Sequence, residues 1–563
     1  EATGCLRLGE NLLAVIIEPA PAEQPQVGRT SLTHTHKSRM TYWWDFCPRL
    51  IHQRIWQSVY LLLTDEACIR DVHISAKVSA DLACAEARVR IACDQADGWT
   101  AVATLDGREQ RAQVSGGFAE LRISVEHPRL WYPNGLGEPD EYPLSVRLEK
   151  SGRISETREL SYGFKHMEWA CNPGREQNEP FLLRANGKPF FIKGYNWVPS
   201  DVLYGAASPE KLAALFALLR DAGVNLLRVW GGGLIETDAF YRLCARNGIL
   251  VWQEFILSSS GIDNKTPVDP AFHAFLKTDA EAAVRRRRNE TALLLWCGGN
   301  ELQADNGTPL TLDDPLLSML DEVIRREDPG RRFLPTSPSG GVFMNSLSNI
   351  EKAPESLCDV HGPWEHQGIS EHPALYNAGS CQLHSEFGVE GMANAYALER
   401  TLAPEHRLPA GKDNPYYFHR GAWWINDGLL REMFGPLETV ERTRRASQYS
   451  QYEGLKYALE RDRSRWPLCG GTIPWQLNEP YPNAFCTANV DYYAQPKPAY
   501  YGVKRAYAPL LPVARFESGS LARTGRLAVS LSLLHEAPLA PGYRLRCTVY
   551  DMKGAEAASQ VYA

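Results

Sequence analysis

The sequence LLLWCGGNEL, residues 293–302, decides the fold of the central part of this 563-residue chain. An apolar run ends at Cys297, and Glu301 follows the two glycines after it. The sequence QLHSEFGVEG, residues 382–391, has the same form and contains Glu386. A strand buried on both faces has a continuous apolar sequence, and the functional groups of a TIM barrel lie at the C-terminal ends of such strands. Both segments therefore predict barrel strands with a glutamate at the end.

The sequence between about Phe181 and Pro509 alternates between buried-strand segments of this kind and segments with helical periodicity. The first helical segment has clear boundaries, because Ser208 can cap it, Pro209 suits its first position and Gly223 can end it. Eight strand–helix units over about 330 residues predict a (β/α)8 TIM barrel. The eight predicted strands are FFIKGYNW, LLRVWG, ILVWQEF, LLLWCGGNE, FLPTSPSG, CDVHGPW, QLHSEFG and GTIPWQLNE.

The segments on either side of the predicted barrel have the composition and alternation of β-strands. The predicted strands are NLLAVII (11–17), RIWQSVYLLL (54–63), ARVRIAC (87–93) and YPLSVRLEK (142–150) before the barrel, and LAVSLSLL (527–534) and YRLRCTVYDMKG (543–554) after it. Residues 71–165 have the length of a small β-sandwich. The segment before them is too short to close a sandwich of its own, and the last segment stops in mid-pattern, so we expect both chain ends to be truncated. We therefore predict a multidomain fold with a partial β-sandwich at 1–70, a β-sandwich at 71–165, the catalytic barrel at 166–510 and a partial C-terminal β-sandwich at 511–563.

The charge of the chain argues against some classes of function. The formal net charge of −7 and the isoelectric point of about 6.1 give no sign of nucleic-acid binding. The one basic block, Arg285–Arg288, falls late in a predicted helix and is typical of a solvated helix end. No segment is long and apolar enough to predict a membrane span. The sequence does not indicate an oligomeric state.

The cysteines and histidines bear on compartment and cofactors. Thirteen cysteines are scattered without CxxC spacing, and Cys244, Cys297 and Cys381 lie in apolar segments where a free cysteine packs as a small hydrophobic residue. This pattern favours a reducing, cytoplasmic compartment, but the chain does not begin with methionine, so localisation stays open. His34 and His36 have no further metal ligand at a fitting spacing, and there is no dinucleotide or phosphate-binding motif. We therefore predict neither a metal nor an organic cofactor.

Several motifs occur together in one order along the chain. They are LLRVWGGGLIETDAFYRLCARNGILVWQEF, WCGGNE, HSEFG, and WQLNEPYPN followed by VDYYAQPKPAYYGVKRAY. Together they resemble glycoside hydrolase family 2, nearest its β-mannosidase branch, from the WWDFCPRL segment to about Leu510. The resemblance implies a sugar-binding jelly-roll sandwich, an immunoglobulin-like sandwich, the barrel and trailing sandwich domains, and a carbohydrate substrate.

The resemblance implies that Glu301 is the general acid/base and that Glu386 is the nucleophile. A retaining glycosidase needs two carboxyl groups about 5–5.5 Å apart. For a single glutamate after a strand, a helix-start carboxylate would be the simpler interpretation. The two roles differ in charge: Glu386 needs donors or cations that keep it ionised, whereas Glu301 needs an apolar wall or a nearby negative charge to keep its proton.

Three further residues at strand ends are candidates for substrate binding. Arg228 resembles the arginine that orients the nucleophile, although a surface ion pair is the alternative. Asn300 can donate to the sugar 2-hydroxyl, a contact that strengthens in the transition state. Trp475 resembles the tryptophan under the cleaved sugar, and its alternative role is to fill the barrel interior.

A loop of the first domain bears on the sugar specificity. In β-mannosidases a W-D-W-G-P loop reaches over the barrel mouth, and its tryptophan and aspartate help to bind the sugar. The matching segment here is Trp44-Asp45-Phe46-Cys47-Pro48, so Trp44 and Asp45 match while the second tryptophan and the glycine do not. These differences leave mannose as one option among several sugars. Weaker candidates that line the pocket are His361, Trp364, Trp197, Trp230 and Glu254, of which His361 could instead be a core histidine and Glu254 could pair with Arg228.

The function predicted from these residues is a retaining exo-β-glycosidase that hydrolyses terminal β-D-mannosides by double displacement. The first alternative is the same mechanism on a β-galactoside, β-glucuronide or β-hexosaminide. The second is a catalytically inactive relative that binds carbohydrate. Retention of both carboxylates with Asn300 and Arg228 argues against the inactive relative.

Overall fold

The computed structural model describes nearly the whole chain. The described residues are 5–23, 27–60, 67–419, 422–423, 425–519, 526, 528–539, 542–551 and 553–562. None of the described helices is long and apolar enough to cross a bilayer. The centre of the molecule is a barrel of eight parallel strands, which confirms the predicted fold class.

Each barrel strand falls within one of the eight predicted segments or overlaps it by all but one residue. Parallel ladders join neighbours around the ring except between the fifth and sixth strands. There the chain after the fifth strand completes the ring, because Asp359 N donates to Ser339 O (3.2 Å) and His361 N donates to Phe343 O (2.9 Å). The strands are β1 (Ile192–Trp197), β2 (Leu226–Val229), β3 (Leu250–Glu254), β4 (Leu293–Cys297), β5 (Arg332–Leu334), β6 (Asp359–His361), β7 (Leu383–Glu386) and β8 (Gly471–Thr472).

Helices surround the barrel, and the first has the boundaries that the sequence predicts. Ser208 accepts a hydrogen bond from Lys211 N (3.1 Å), Pro209 is the first helical residue and Gly223 has φ +72° just after the end. The helices are α1 (Pro209–Asp221), α2 (Asp238–Arg246), α3 (Pro270–Arg287), α4 (Pro315–Glu327), α5 (Leu347–Lys352), α6 (Glu371–Ala378), α7 (Ala395–Thr401), α8 (Asp427–Phe434), α9 (Val440–Arg463) and α10 (Pro498–Ala506).

Side chains fill both sides of the barrel wall. Alternate strand residues such as Leu227 and Val251 pack outwards against the helices, while Leu226 and Trp252 pack inside the barrel. The inner cluster continues into a small antiparallel sheet that includes Leu183 and Phe190. That sheet consists of Met167–Ala170, Leu182–Ala185 and Lys188–Phe190. The barrel is thus a packed core whose polar groups collect at its C-terminal end.

Before the barrel lies an antiparallel β-sandwich. One apolar core, which includes Val89, Trp99 and Leu144, fills the space between its two sheets. The three-stranded sheet contains Cys68–Val78, Cys84–Asp94 and Phe118–Glu126, and the four-stranded sheet contains Thr100–Leu105, Arg108–Gln113, Tyr142–Lys150 and Arg153–Tyr162.

The residues before this sandwich differ from the prediction. The described part of segment 1–70 contains one short strand before Cys68, Gly28–Arg29, which pairs with Gly261–Asp263. The sequence NLLAVII, predicted as a strand, is irregular and its side chains are largely exposed, with Leu12 at 95%. The sequence pattern of this segment is not enough to form a strand, because a strand also needs a neighbouring strand to pair with. Residues 61–63 of another predicted strand lie outside the described residues.

The C-terminal residues form two separate hairpins. The first joins Leu510–Arg515 to Ser530–His535, and the second joins Leu545–Tyr550 to Glu556–Tyr562. The prediction of strands in this segment is therefore confirmed.

The basic block at the end of α3 also differs from the prediction. Arg287 and Arg288 are 2% and 7% exposed, so the block is only partly solvated. Arg288 bonds to Asp71 of the sandwich and lies 3.3 Å from Glu327 of α4. The ion pairs fix the sandwich against the barrel, which a sequence pattern could not indicate because the acidic partners are distant in the chain.

Candidate active site

Arg228, the third residue of β2, is the centre of a buried polar cluster at the C-terminal end of the barrel. Its Nε donates to Glu254 Oε1 (2.9 Å) and its Nη1 donates to Glu386 Oε2 (2.6 Å). Nη1 also donates to Asn196 Oδ1 (2.7 Å), and Nη2 donates to Asn300 Oδ1 (2.6 Å). The Arg228 side chain has no exposed surface. One guanidinium therefore links the ends of strands β1, β2, β3 and β7 and the segment that follows β4.

Glu386 is the last residue of β7 and has two donors. Oε2 accepts from Arg228, and Oε1 accepts from the indole Nε1 of Trp364 (3.0 Å). The side chain is 6% exposed. Donors on both oxygens fix the carboxylate plane and favour the ionised form.

Glu301 lies four residues beyond β4 and is held by a different set of groups. Ser259 Oγ donates to Oε2 (2.8 Å), and His361 Nδ1 lies 3.0 Å from Oε1. The backbone has φ +56°, an uncommon value for glutamate, and Glu301 N donates to Ser337 O (2.7 Å). Its side chain is 16% exposed, so the Glu301 carboxyl is more open to the pocket than that of Glu386.

The glycine before this turn is required by a close backbone approach. A Cβ on Gly298 would lie 2.2 Å from the carbonyl oxygen of Pro335. Any larger residue would push the chain away from β5 and displace Glu301 with it. A Cβ on Gly299 would likewise lie 2.7 Å from the carbonyl oxygen of Leu257, so both glycines of the WCGGNE motif are required sterically.

The two glutamates lie close together although they are distant in sequence. An oxygen of Glu301, an oxygen of Glu386 and a ring nitrogen of His361 all lie within 4.8 Å of one another. Only closure of the ring brings the ends of β4 and β7 to this distance.

Burial shifts the ionisation of all three groups. Burial raises the pKa of the Glu301 carboxyl, and the Ser259 hydroxyl and Arg228 partly oppose it. Burial also raises the pKa of Glu386, and the Arg228 guanidinium only partly opposes this shift. The pKa of His361 lies well below its ordinary value, chiefly because the imidazole is buried, so the ring is neutral near pH 7.

Aromatic rings enclose one side of the pocket. The rings of Trp44 and Trp230 lie 5.0 Å apart, those of Trp230 and Trp475 5.3 Å, and those of Phe46 and Trp475 5.9 Å. Trp44 and Phe46 come from the first segment, so the loop with half-buried Asp45 reaches the barrel mouth, and Asp45 lies beside the two rings. These four rings are at most 5% exposed, so they form a buried aromatic wall at the barrel mouth.

The structure separates Trp197 from the other candidates. Its ring packs between the barrel and the helices against Phe216 and Phe240, and its Nε1 donates to Glu236 (2.9 Å). It therefore lies away from the pocket. Glu254 is completely buried and bonds to Arg228 and to Gly231 N (2.7 Å), so it supports the arginine.

Several residues that contact the cluster were not predicted from the sequence, among them Asn196, Ser259 and Ser337. Asn196 and Ser259 bond to Arg228 and Glu301, and Ser337 Oγ lies 3.0 Å from His361 Nε2. Alternation along GYNW could have pointed to Asn196, because neighbours in a strand face opposite sides. The two serines lie in irregular segments after β3 and β5, where the sequence gives no such signal.

Among the described residues, two groups of side chains have the donor atoms of a metal site. Glu301, His361 and Glu386 form one, and Cys381, His384 and Asp462 form the other. In the first, the guanidinium of Arg228 already bonds to Glu386. In the second, Arg465 donates to Cys381 Sγ (3.3 Å) and to Asp462 (2.6 Å). A cation is thus already supplied by the protein at each group.

Comparisons with known proteins agree with this architecture. The model of glycosyl hydrolases family 2 matches residues 57–165, and that of the family 2 TIM barrel domain matches residues 177–334. Beta-mannosidase B of Emericella nidulans is 27% identical over 524 residues, covering 86% of this chain and 59% of that protein. Beta-mannosidase B of Aspergillus terreus is 27% identical over 517 residues, covering 84% and 58%. The chain therefore spans less than two thirds of the length of these relatives.

Solved structures share the fold. The beta-D-mannosidase from Dictyoglomus thermophilum superposes with a TM-score of 0.77 at 23% identity, covering 95% of this chain and 65% of that one. The exo-chitosanase from Amycolatopsis orientalis gives a TM-score of 0.66 at 18% identity, covering 89% and 64%. Together with the two matched domains, these similarities support a β-mannosidase-like protein of glycoside hydrolase family 2.

Proposed function

We propose that this protein is a retaining exo-β-glycosidase that hydrolyses terminal β-D-mannosides. The observation that carries the proposal is the approach of Glu301 and Glu386, which have oxygens within 4.8 Å of each other. Retaining enzymes hold their carboxyl groups about 5–5.5 Å apart, whereas inverting enzymes need roughly 6.5–9.5 Å to fit a water between them. The spacing here supports a direct attack by one carboxylate.

In the proposed first step Glu386 attacks the anomeric carbon and the glycosidic C–O bond breaks. Glu301 transfers its proton to the leaving oxygen, and a covalent glycosyl-enzyme forms. Arg228 and Trp364 hold Glu386 in the orientation for attack through hydrogen bonds of 2.6 and 3.0 Å. Burial raises the pKa of Glu301, which favours the protonated form that the acid role needs.

In the second step the glycosyl-enzyme is hydrolysed. Glu301, now ionised, takes a proton from water as the water attacks the anomeric carbon, and Glu386 leaves as a carboxylate. Neutral His361 lies 3.0 Å from Glu301 and can share a hydrogen bond with it whether the Glu301 carboxyl is protonated or ionised. Because the imidazole is neutral, it adds no charge beside that carboxyl group. The same two carboxyl groups thus serve both steps.

One feature of the structure supports cleavage at chain ends, and the similarity to relatives supports mannose as the sugar. The loop of Trp44 and Phe46 closes one side of the mouth, which favours a chain end over the middle of a polysaccharide. Mannose is supported by the curated relatives, which are β-mannosidases. We propose that Trp475 faces the sugar in the cleaved position and that Asn300 contacts its 2-hydroxyl.

The test is a panel of 4-nitrophenyl β-glycosides carrying mannose, galactose, glucose, glucuronate and N-acetylhexosamines. We expect the mannoside to be cleaved by the wild type, and Glu386→Ala to lose at least about 10⁴-fold in kcat, because no nucleophile remains. The matched control is Glu210→Ala on the exposed surface of α1, which should keep full activity. Proton NMR of the first product should show the β-anomer.

Each other result has a defined meaning. Cleavage of another sugar that is lost in Glu386→Ala contradicts the mannose assignment and keeps the mechanism. The α-anomer as first product rules out double displacement. A folded wild type that cleaves nothing but binds mannose in calorimetry favours the carbohydrate-binding relative.

A further inference from the structure

A cavity lies next to the carboxylates, lined by the segments that follow β5 and β6 and by Trp423. Its volume is about 710 Å³, within the range of small-molecule sites. Apolar and aromatic side chains form most of its wall, and polar groups are placed between them. Among the residues that line it are Asn345, Trp364 and Trp423.

The wall between this cavity and the carboxylates is shared. Trp364 lines the cavity with its ring and donates from Nε1 to Glu386 (3.0 Å). Asn345 N donates to the carbonyl oxygen of His361 (2.9 Å), whose ring contacts Glu301. The cavity is therefore fixed to the two groups that hold the glutamates.

The cavity lies on the side of the barrel where a leaving group would go. The aromatic rings of Trp44, Trp230 and Trp475 enclose the side of β1, β2 and β8. Strands β5 and β6 are opposite in the ring, and Glu301 follows the neighbouring strand β4. Since Glu301 protonates the leaving oxygen in the proposed mechanism, the leaving group points towards β5 and β6.

The lining has the chemistry of a site for an uncharged sugar. The indole of Trp423 is 49% exposed and offers a flat face for stacking. The side-chain oxygen of Asn345 is buried and has no hydrogen-bond partner among the described residues, so a ligand hydroxyl can satisfy it. Glu365 and Glu371 also line the cavity, and none of its described lining residues is basic. This composition disfavours an acidic sugar.

We propose that this cavity is an acceptor subsite that binds the neutral pyranose ring of the leaving group. Trp423 stacks on the ring, and Asn345 Oδ1 accepts a hydroxyl hydrogen. The inference rests on the proposed glycosidase function. It makes the protein selective for oligosaccharides over glycosides with a small leaving group.

The experiment compares two substrates of the same sugar that differ only in the leaving group. β-1,4-Mannobiose has a leaving ring, whereas β-mannosyl fluoride has none and needs no acid assistance. If the glycoside panel identifies another sugar, the disaccharide and fluoride of that sugar are used. We expect Trp423→Ala and Asn345→Ala each to lose at least ten-fold more kcat/KM on the disaccharide than on the fluoride.

The matched control is Trp466→Ala, a tryptophan with 36% exposure outside the cavity, which should not change the ratio of the two substrates. Trp423→Phe keeps a flat ring and should recover part of the loss. Equal losses on both substrates, or no loss on either, overturn the subsite.

Failure of the proposed function is recognised separately. If the wild type hydrolyses neither substrate, calorimetry with mannobiose still decides the subsite. Binding by the wild type that weakens at least ten-fold in Trp423→Ala and Asn345→Ala supports it. Binding that is absent, or equal in wild type and variants, overturns it.

Discussion

Arginine and carboxylate side chains meet at both ends of the barrel, but in opposite proportions. At the mouth one buried guanidinium, Arg228, bonds to Glu254 and Glu386, with Glu301 also nearby. At the base one carboxylate, Glu327, bonds to Arg285 and Arg326 and lies 3.3 Å from Arg288.

The ratio of guanidinium to carboxyl groups at each end sets the pKa of the carboxyl groups there. Hydrogen bonds from Arg285 lower the pKa of Glu327 to about 2, whereas burial raises the pKa of Glu254 to about 7 in spite of Arg228. At the base the charges are satisfied and join the sandwich to the barrel. At the mouth carboxyl groups outnumber cations in a buried site, which is the condition for a proton donor near neutral pH. We propose that the ion pairs at the base stabilise the fold and that those at the mouth prepare the reaction.

The largest effect within this comparison is expected from Glu301→Ala at the mouth. With a 4-nitrophenyl or disaccharide substrate, the kcat/KM of this variant should fall by about 10²–10⁴-fold, because the leaving oxygen needs a proton. A dinitrophenyl glycoside should lose much less in the glycosylation step. Steady-state kinetics on both substrates measure the split, and equal losses would remove Glu301 from the acid role.

The second-largest effect is expected from Arg228→Met. Without the guanidinium the pKa of Glu386 rises further, so the proposed nucleophile stays protonated up to a higher pH and the acid limb of kcat/KM moves to higher pH. We expect at least about 10²-fold loss at neutral pH and about 3–5 kcal/mol lower stability, because buried acceptors lose their donor. The measurements are a pH–rate profile and denaturant unfolding. An unmoved acid limb would contradict the role of Arg228.

Arg288→Met is the matched change at the base. Glu327 keeps Arg285 and Arg326, so the expected loss is only about 1–3 kcal/mol of unfolding free energy. The pH–rate profile should not move. A displaced profile would show that the two ends of the barrel are coupled, and the comparison would then fail.

The smallest effect is expected from Ser259→Ala. The hydroxyl donates to Glu301 and lowers its pKa, so its removal destabilises the carboxylate and the proton is lost at higher pH. The alkaline limb of kcat/KM should therefore rise by about 0.5–1 pH unit. Ser208→Ala, which removes the cap of α1, should lower stability and leave the limb in place. A shift to lower pH in Ser259→Ala would contradict the assignment.

How well the sequence predicts secondary structure and burial differs between regions of the molecule. The eight barrel strands and the first helix follow the sequence closely, since continuous apolar runs and the Ser208-Pro209 start are local signals. The strand predicted at NLLAVII is absent, because pairing depends on a partner that alternation does not supply. The basic block at Arg285–Arg288 is half buried for a similar reason, since its acidic partners come from other elements.

The sequence by itself determined which residues stand at strand ends, including Glu301, Glu386, Arg228 and Asn300. Each follows or lies within an apolar run, and such a run is read from neighbours in the chain. The tertiary structure decided which distant residues come into contact. His361 and Trp364 contact the glutamates, and Trp197 lies outside the pocket. Asn345 and Trp423 line the same cavity. Those contacts join residues far apart in sequence, so they exist only once the ring has closed and burial has fixed the side chains.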